Sequence, residues 1–267
     1  MAPSVKKYIS LGKMSMQNSI AYRGNFLISI TVSVFWAIAM FYLWKAIFDG
    51  RGQLSGFTWE EMKAYLLITF ITNSLLSWYN ETRISWKILD GSVAMDLLKP
   101  LDFQKARLAE TLGTSVFEGG VSVMMMCIVL FVFAGIMMPP DALSWVLFFV
   151  SLMSSLLIKF CVVYIAGLFC FWTSSPFGVA WMRAAVTNLF SGALVPLSFF
   201  PGWLKSVALL LPFQGIVHTP ASIYLGRIGG MELVHYLGVQ LFWVAVLWFV
   251  GKRMWHRAVR QVTIHGG

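Results

Sequence analysis

The chain has 267 residues, of which 58% are hydrophobic and only 12% charged, and its formal net charge is +9. Soluble domains carry about 25% charged residues, so this composition excludes an ordinary soluble protein. In a soluble domain such a positive charge would suggest nucleic acid, but in a membrane protein short basic loops set the orientation in the bilayer. With a mean hydropathy of +0.75, the composition predicts an all-α membrane protein that binds no nucleic acid.

The first predicted element is an amphipathic helix over residues 5–23. Val5, Tyr8, Ile9 and Met16 recur near helical spacing, and lysines occupy the other faces. This pattern is typical of a helix that lies in the membrane interface. A flexible basic tail is the alternative.

Six apolar runs follow, and each is predicted to cross the membrane, because a bilayer core of about 30 Å needs about 20 residues of helix. They cover residues 26–48, 59–82, 108–137, 142–172, 177–195 and 233–251. Thr58 and Glu61 have the spacing of a capping box ahead of the second run. The basic residues concentrate before the first span, in the 83–107 loop and after the last span. The positive-inside rule therefore predicts a multi-pass protein of the cell (inner or plasma) membrane with both termini in the cytoplasm.

A proline-rich stretch separates the fifth and sixth runs. About nine residues of helix from Trp203 onward reach only about 14 Å, and irregular backbone at membrane depth must be shielded by protein or face a watery cavity. We therefore predict an extracellular re-entrant helical hairpin over residues 199–224. The residues that define it are Pro196, Pro201, Trp203 and Pro212.

The 83–107 loop contains a second short amphipathic segment. Val93, Leu97 and Leu98 are predicted to form a small apolar face, with Asp96 and Lys99 nearby, Ser92 capping the start and Pro100 ending the helix. A helix of this kind on a cytoplasmic loop suits docking into a groove of another protein. A helix that lies on the lipid surface is the alternative.

Two charges fall inside predicted spans. Glu118 and Lys159 are each about 20 residues from the turn at Pro139, so neighbouring antiparallel helices would hold them at similar depth, and isolated charges there cost several kcal/mol. We predict an intramembrane ion pair, which serves either as structural glue or as a proton relay. Asn73 and Asn188 are candidates either for lining a path or for bonding between helices.

Motifs for chemistry are missing from the sequence. It contains no G-x-x-x-x-G-K-[ST], no H-E-x-x-H and no paired Cys/His spacing. We therefore expect no catalytic residues, no metal and no cofactor in this chain, which is predicted not to be an enzyme.

Two stretches resemble a known family. The first runs from Ile88-Leu89-Asp90-Gly91 to Asp96-Leu97-Leu98-Lys99-Pro100-Leu101. It is similar to the "G-x-L-x-x-x-L-x-[RK]-P" loop of permease subunits of type-2 ABC exporters, in particular the bacterial ABC-type uncharacterised transport system permease components. The second, from Pro196 through Trp203-Leu204 to Pro212, resembles their "P-x-x-x-x-P-x-W-L…x-P" stretch. Val93 departs from the pattern, where the family usually has Leu.

The resemblance implies a transport subunit powered from outside. A separate ABC ATP-binding subunit, carrying ATP and Mg²⁺, would dock on the 83–107 loop. Two permeases, identical or related, would pair and open a path between them for hydrophobic or amphipathic cargo. The coupling residues would be Asp90, Gly91, Val93, Asp96, Leu97, Leu98, Lys99 and Pro100, and Phe35, Trp36 and Tyr42 of the first span are candidates for lining the path.

Other functional classes remain open from the residues alone. The first alternative is a proton-coupled secondary transporter that uses Glu118 and Lys159. A membrane-embedded enzyme acting on lipid and a scaffold without a transport path are the others.

Overall fold

A computed structural model describes residues 3–21, 23–76, 78–133, 139 and 141–261, and most of these are helical. The α-helices are α1 (Pro3–Ala21), α2 (Arg23–Phe48), α3 (Trp59–Ser74), α4 (Trp78–Leu89), α5 (Val93–Leu97), α6 (Phe103–Phe133), α7 (Ala142–Leu168), α8 (Pro176–Phe190), α9 (Gly202–Leu210), α10 (His218–Tyr224) and α11 (Gly230–Ala258). Two strands of two residues, β1 (Gln53–Leu54) and β2 (Phe57–Thr58), pair antiparallel with Leu54 opposite Phe57.

Among the residues that the structure describes, three helical stretches are long and apolar enough to cross a membrane. They are Ile30–Phe48 of α2, Ala142–Phe171, which extends α7 by a 3₁₀ turn, and Gly230–Ala258. A fourth would come from counting Gly202–Leu210 and Pro212–Tyr224 as one span bent by 74°. An all-α membrane protein is thus confirmed, whereas the count of six spans and the re-entrant course of residues 199–224 stay predictions. The end of the predicted third span, 134–137, lies outside the described residues.

The start of α3 confirms the capping box predicted from Thr58 and Glu61. The backbone N–H of Glu61 donates to Thr58 Oγ1 over 3.3 Å, and the backbone N–H of Thr58 donates to Glu61 Oε2 over 2.8 Å. Each side chain thereby satisfies a backbone N–H that the helix itself leaves without a partner. Helix α3 begins at Trp59, which is the first residue of the second predicted span.

The continuation of that span differs from the prediction, because the structure divides residues 59–82 between α3 and α4. Because α3 ends at Ser74, the backbone carbonyls of its last turn lose their helical donors and must find others in a membrane protein. Lys159 Nζ of α7 donates to the carbonyl of Asn73 over 2.9 Å, and Ser115 Oγ of α6 donates to the carbonyl of Leu75. Side chains from two neighbouring helices therefore stabilise the break.

Helix α1 packs closely along α6. A Cβ atom added to Gly12 would lie 2.9 Å from the carbonyl oxygen of Ala109, and one added to Gly113 would overlap the backbone of Gly12. Ser19 Oγ also donates to Glu118 Oε1 over 2.9 Å. Glycine is needed at both positions because the two backbones touch.

A buried polar network joins α7, α11 and the segment before α10. Gln240 is fully buried, and its Nε2 donates to the carbonyls of Ser151 and Gly215 over 2.9 and 2.7 Å. Ser155 Oγ donates to the carbonyl of Ile216 over 2.6 Å. These bonds fix the proline-rich stretch against the bundle.

Candidate functional site

The predicted docking loop forms a tight turn between α4 and α6. Gly91 follows α4 with a φ of +75°, a left-handed conformation that glycine adopts without steric cost. Helix α5 then runs over Val93–Leu97, and Asp102 begins α6 by accepting the backbone N–H of Lys105 over 2.9 Å. Ser92 precedes α5, but its side chain makes no capping bond, so that prediction is wrong. Its backbone N–H donates instead to Asp90 Oδ1 over 2.8 Å.

Helix α5 and the residue after it present three apolar side chains outward. Met95, Leu97 and Leu98 are 64%, 41% and 78% exposed. Val93 was predicted to share this face, but it is buried beside Ile84, because one side of so short a helix must pack on the bundle. We call Met95, Leu97 and Leu98 the α5 apolar tip.

Beneath the tip, the carboxylate of Asp96 is buried among three cations. Lys87 Nζ lies 2.7 Å from Asp96 Oδ2, Lys99 Nζ lies 2.8 Å from Oδ1, and Arg107 Nη2 lies 3.3 Å from Oδ2. Burial on its own raises the pKa of Asp96, but the hydrogen bonds from the two lysines and the charge of Arg107 outweigh it and hold the pKa below its ordinary value. Asp96 therefore joins α4, α5 and α6 through one ionised group.

The ionic network continues along α6 towards α1. Arg107 Nη1 lies 2.8 Å from Glu110 Oε2, and Arg83 Nη1 lies 3.4 Å from the same oxygen. Arg83 also donates to Ser15 Oγ of α1 over 3.4 Å. Four cations surrounding Asp96 and Glu110 thus hold the docking loop to its supporting helices, and we call these six side chains the loop network.

An aromatic stack connects the start of α6 to the end of α11. The rings of Phe103 and Trp255 are parallel within 2°, with centroids 3.9 Å apart. Arg107 also lies 5.1 Å from the centroid of the Phe103 ring. A displacement of the docking loop would therefore also move the end of helix α11.

Glu118 and Lys159 both lie near the interruption between α3 and α4. Both side chains are buried. Gly119, the residue after Glu118, lies close to the end of α3, since a Cβ atom added to it would be 3.6 Å from the Cα of Leu75. The bonds described above join Glu118 to Ser19 and Lys159 to the Asn73 carbonyl. A direct ion pair between the two charges stays a prediction.

The other candidate residues fall in several places. Phe35, Trp36 and Tyr42 are exposed along α2, at 71%, 54% and 56%, whereas Asn73 and Asn188 are half-buried near the ends of α3 and α8. In the proline-rich stretch, Trp203 is 70% exposed, Pro201 is exposed, and Pro196 and Pro212 are buried. These positions do not converge on one site, and their roles stay predictions.

The comparison with protein families identifies the class to which the chain belongs. Residues 34–266 match the family described as ABC-2 family transporter protein, and the chain belongs to that family. It is therefore a membrane permease of the ABC-2 type, as the loop and proline motifs indicated. No curated protein matches the chain.

Proposed function

We propose that this chain is the permease subunit of an ATP-driven exporter and that a separate ATP-binding subunit docks on the α5 apolar tip. Membership of the ABC-2 family implies an ABC ATP-binding partner in general. The observation that carries the assignment of the docking point is the exposure of Met95, Leu97 and Leu98 directly above the buried Asp96. Apolar anchors on a rigid support are what a docking helix needs.

The mechanism follows from how the loop is held. The loop network and the Phe103–Trp255 stack join α5 to α4, α6, α1 and α11. When the ATP-binding subunits close on ATP, a force on α5 would reach these helices as a group. ATP and Mg²⁺ belong to the partner, and hydrolysis takes place there, so this chain is not itself an enzyme in the proposal.

The transport path is proposed to form between two paired permeases, identical or related. Exposed aromatic side chains on α2, such as Phe35 and Trp36, support a hydrophobic or amphipathic cargo. The basic residues of the loops support a location in the inner or plasma membrane with both termini in the cytoplasm.

The docking assignment is tested by placing a charge on the tip. We expect Leu98→Asp to abolish co-purification with the ATP-binding subunit, because an unpaired carboxylate would be buried in the interface. Leu97→Asp should act likewise, and membrane insertion should be unchanged in both. Leu98→Met is the matched control, because it keeps an apolar side chain of similar volume, and it should retain the partner.

Retention of the ATP-binding subunit by both Asp variants would refute the docking assignment. Transport by the purified chain alone, driven by a proton gradient and abolished by Glu118→Gln, would replace it with the proton-coupled alternative.

A further inference from the structure

A cavity of about 220 Å³ opens beside the α5 apolar tip, between the start of α6 and the end of α11. Phe103 and Trp255, which stack on each other, contribute to its apolar wall. Its polar lining divides between two sides. Asp96, Asp102 and Gln104 belong to the side formed by α5 and the start of α6, and Lys252 and His256 belong to the α11 side. The charge of Asp96 is offset by the cations of the loop network.

Gln104 brings to this cavity a buried acceptor without a partner. The residue is only 3% exposed, and its Nε2 donates to the carbonyl of Trp248 over 3.2 Å, which fixes the orientation of the amide. Its Oε1 accepts no hydrogen bond within the described part of the chain. A buried acceptor left in this way costs free energy, so the site is suited to an occupant that donates an N–H or O–H.

The α11 side supplies the positive charge of Lys252 and the imidazole N–H of His256. Lys252 and His256 are exposed, and neither makes a hydrogen bond or ion pair with another described residue. The sequence contains no Asp or Glu after Glu232. The α11 side of the cavity therefore attracts an anion, whereas Asp102 keeps that anion away from the α6 side.

We infer that this cavity receives an acidic segment of the ATP-binding subunit, with a carboxylate against Lys252 and His256 and a backbone N–H directed at Gln104 Oε1. The inference rests on the proposed function. Leu97 lines the cavity and also belongs to the apolar tip, so one docking surface would include both features. A peptide that carries an acidic side chain supplies both the anion and the donor that the cavity lacks.

The experiment compares two charge reversals one turn or so apart on α11. The complete chain is co-expressed with its ATP-binding subunit, and the affinity of the solubilised pair is measured from about 0.01 to about 1 M NaCl, over which the Debye length falls from about 30 Å to about 3 Å. Lys252→Glu should weaken binding about tenfold at the lowest salt, and the difference should shrink as salt rises. Arg257→Glu, which changes an exposed residue that does not line the cavity, should change the affinity less than about twofold.

A second variant tests the acceptor independently of charge. Gln104→Met should weaken the complex by a factor that does not depend on salt, since it removes a hydrogen bond. Thermal unfolding of the isolated chain shows whether each variant folds. Lys252→Met should fold like the wild type and bind with an intermediate affinity.

Several results would overturn the inference. Unchanged affinity in Lys252→Glu, or an equal loss in Arg257→Glu, would mean that the cavity receives no acidic segment. An unchanged complex with weakened binding to phosphatidylglycerol vesicles would make the cavity a lipid headgroup site instead. If Leu98→Asp abolishes the complex and Lys252→Glu does not, only this inference fails, whereas a complex that survives Leu98→Asp refutes the docking assignment itself.

Discussion

Replacing Asp96 by Asn removes one negative charge from the centre of the loop network and changes little else in shape. The side chains of Asp96 and Arg107 are each 5% exposed, and that of Lys87 is 23% exposed. Hydrogen bonds between charged groups contribute about 1.5–3 kcal/mol each when buried. The half-exposed Lys99 pair contributes about 0–1 kcal/mol. Because an amide still accepts one bond and because Lys87 keeps some water contact, we expect a loss of about 3 kcal/mol in the free energy of unfolding.

The assay is reversible unfolding of the purified chain in mixed detergent micelles, followed by helix content. Asp90→Asn is the matched control, since Asp90 is exposed and bonds only within its own turn, and it should change the free energy by less than about 0.5 kcal/mol. A loss in Asp96→Asn no larger than in Asp90→Asn would refute the idea that the ionic network fixes the docking loop.

Three further predictions concern acid sensitivity and helix packing. Because the pKa of Asp96 is lowered in the folded chain, ionised Asp96 stabilises the fold fully above the unfolded pKa of about 3.9, and this stabilisation is lost as the pH falls further. The loss of stability in acid should therefore be smaller in Asp96→Asn than in the wild type. Equal pH profiles of the two would contradict this. Gly113→Ala should separate α1 from α6, because its Cβ would overlap Gly12, and proteolysis of α1 should accelerate, whereas an unchanged cleavage rate would refute the backbone contact. Lys159→Met should cost about 1–2 kcal/mol by leaving the Asn73 carbonyl without that donor, and Lys159→Arg should recover part of it, so that equal losses in the two would argue against the bond.

Features that depend on neighbouring residues could be predicted from the sequence. The capping box needs only Thr58 and a Glu three positions later, and the structure contains it. The membrane class follows from the composition, and the docking role of the 83–107 loop is a prediction from a contiguous run between Asp90 and Pro100. The capping box and the loop motif are each contained in one short stretch of the chain, and the composition needs no knowledge of contacts at all.

Features made by distant residues could not be predicted in the same way. The backbone carbonyls at the interruption of the second predicted span accept hydrogen bonds from Ser115 and Lys159, which are 40 and 86 residues away in the sequence. No local sequence pattern predicts these donors. The sequence placed Asp96 near Lys99, but the partners Lys87 and Arg107 come from two other helices. Val93 was wrongly assigned to the outer face because a helix of five residues is too short for its hydrophobic pattern to show which side is buried.

The contact between α1 and α6 has a consequence for the order in which the protein is built. Ser19 and its partner Glu118 are 99 residues apart, so the N-terminal helix leaves the ribosome long before its binding surface exists. At a synthesis rate of about 5–20 residues per second, it waits about 5–20 seconds. During that interval the apolar side chains of α1 need another apolar environment. The surface of the bilayer provides one until α6 is made and takes its place.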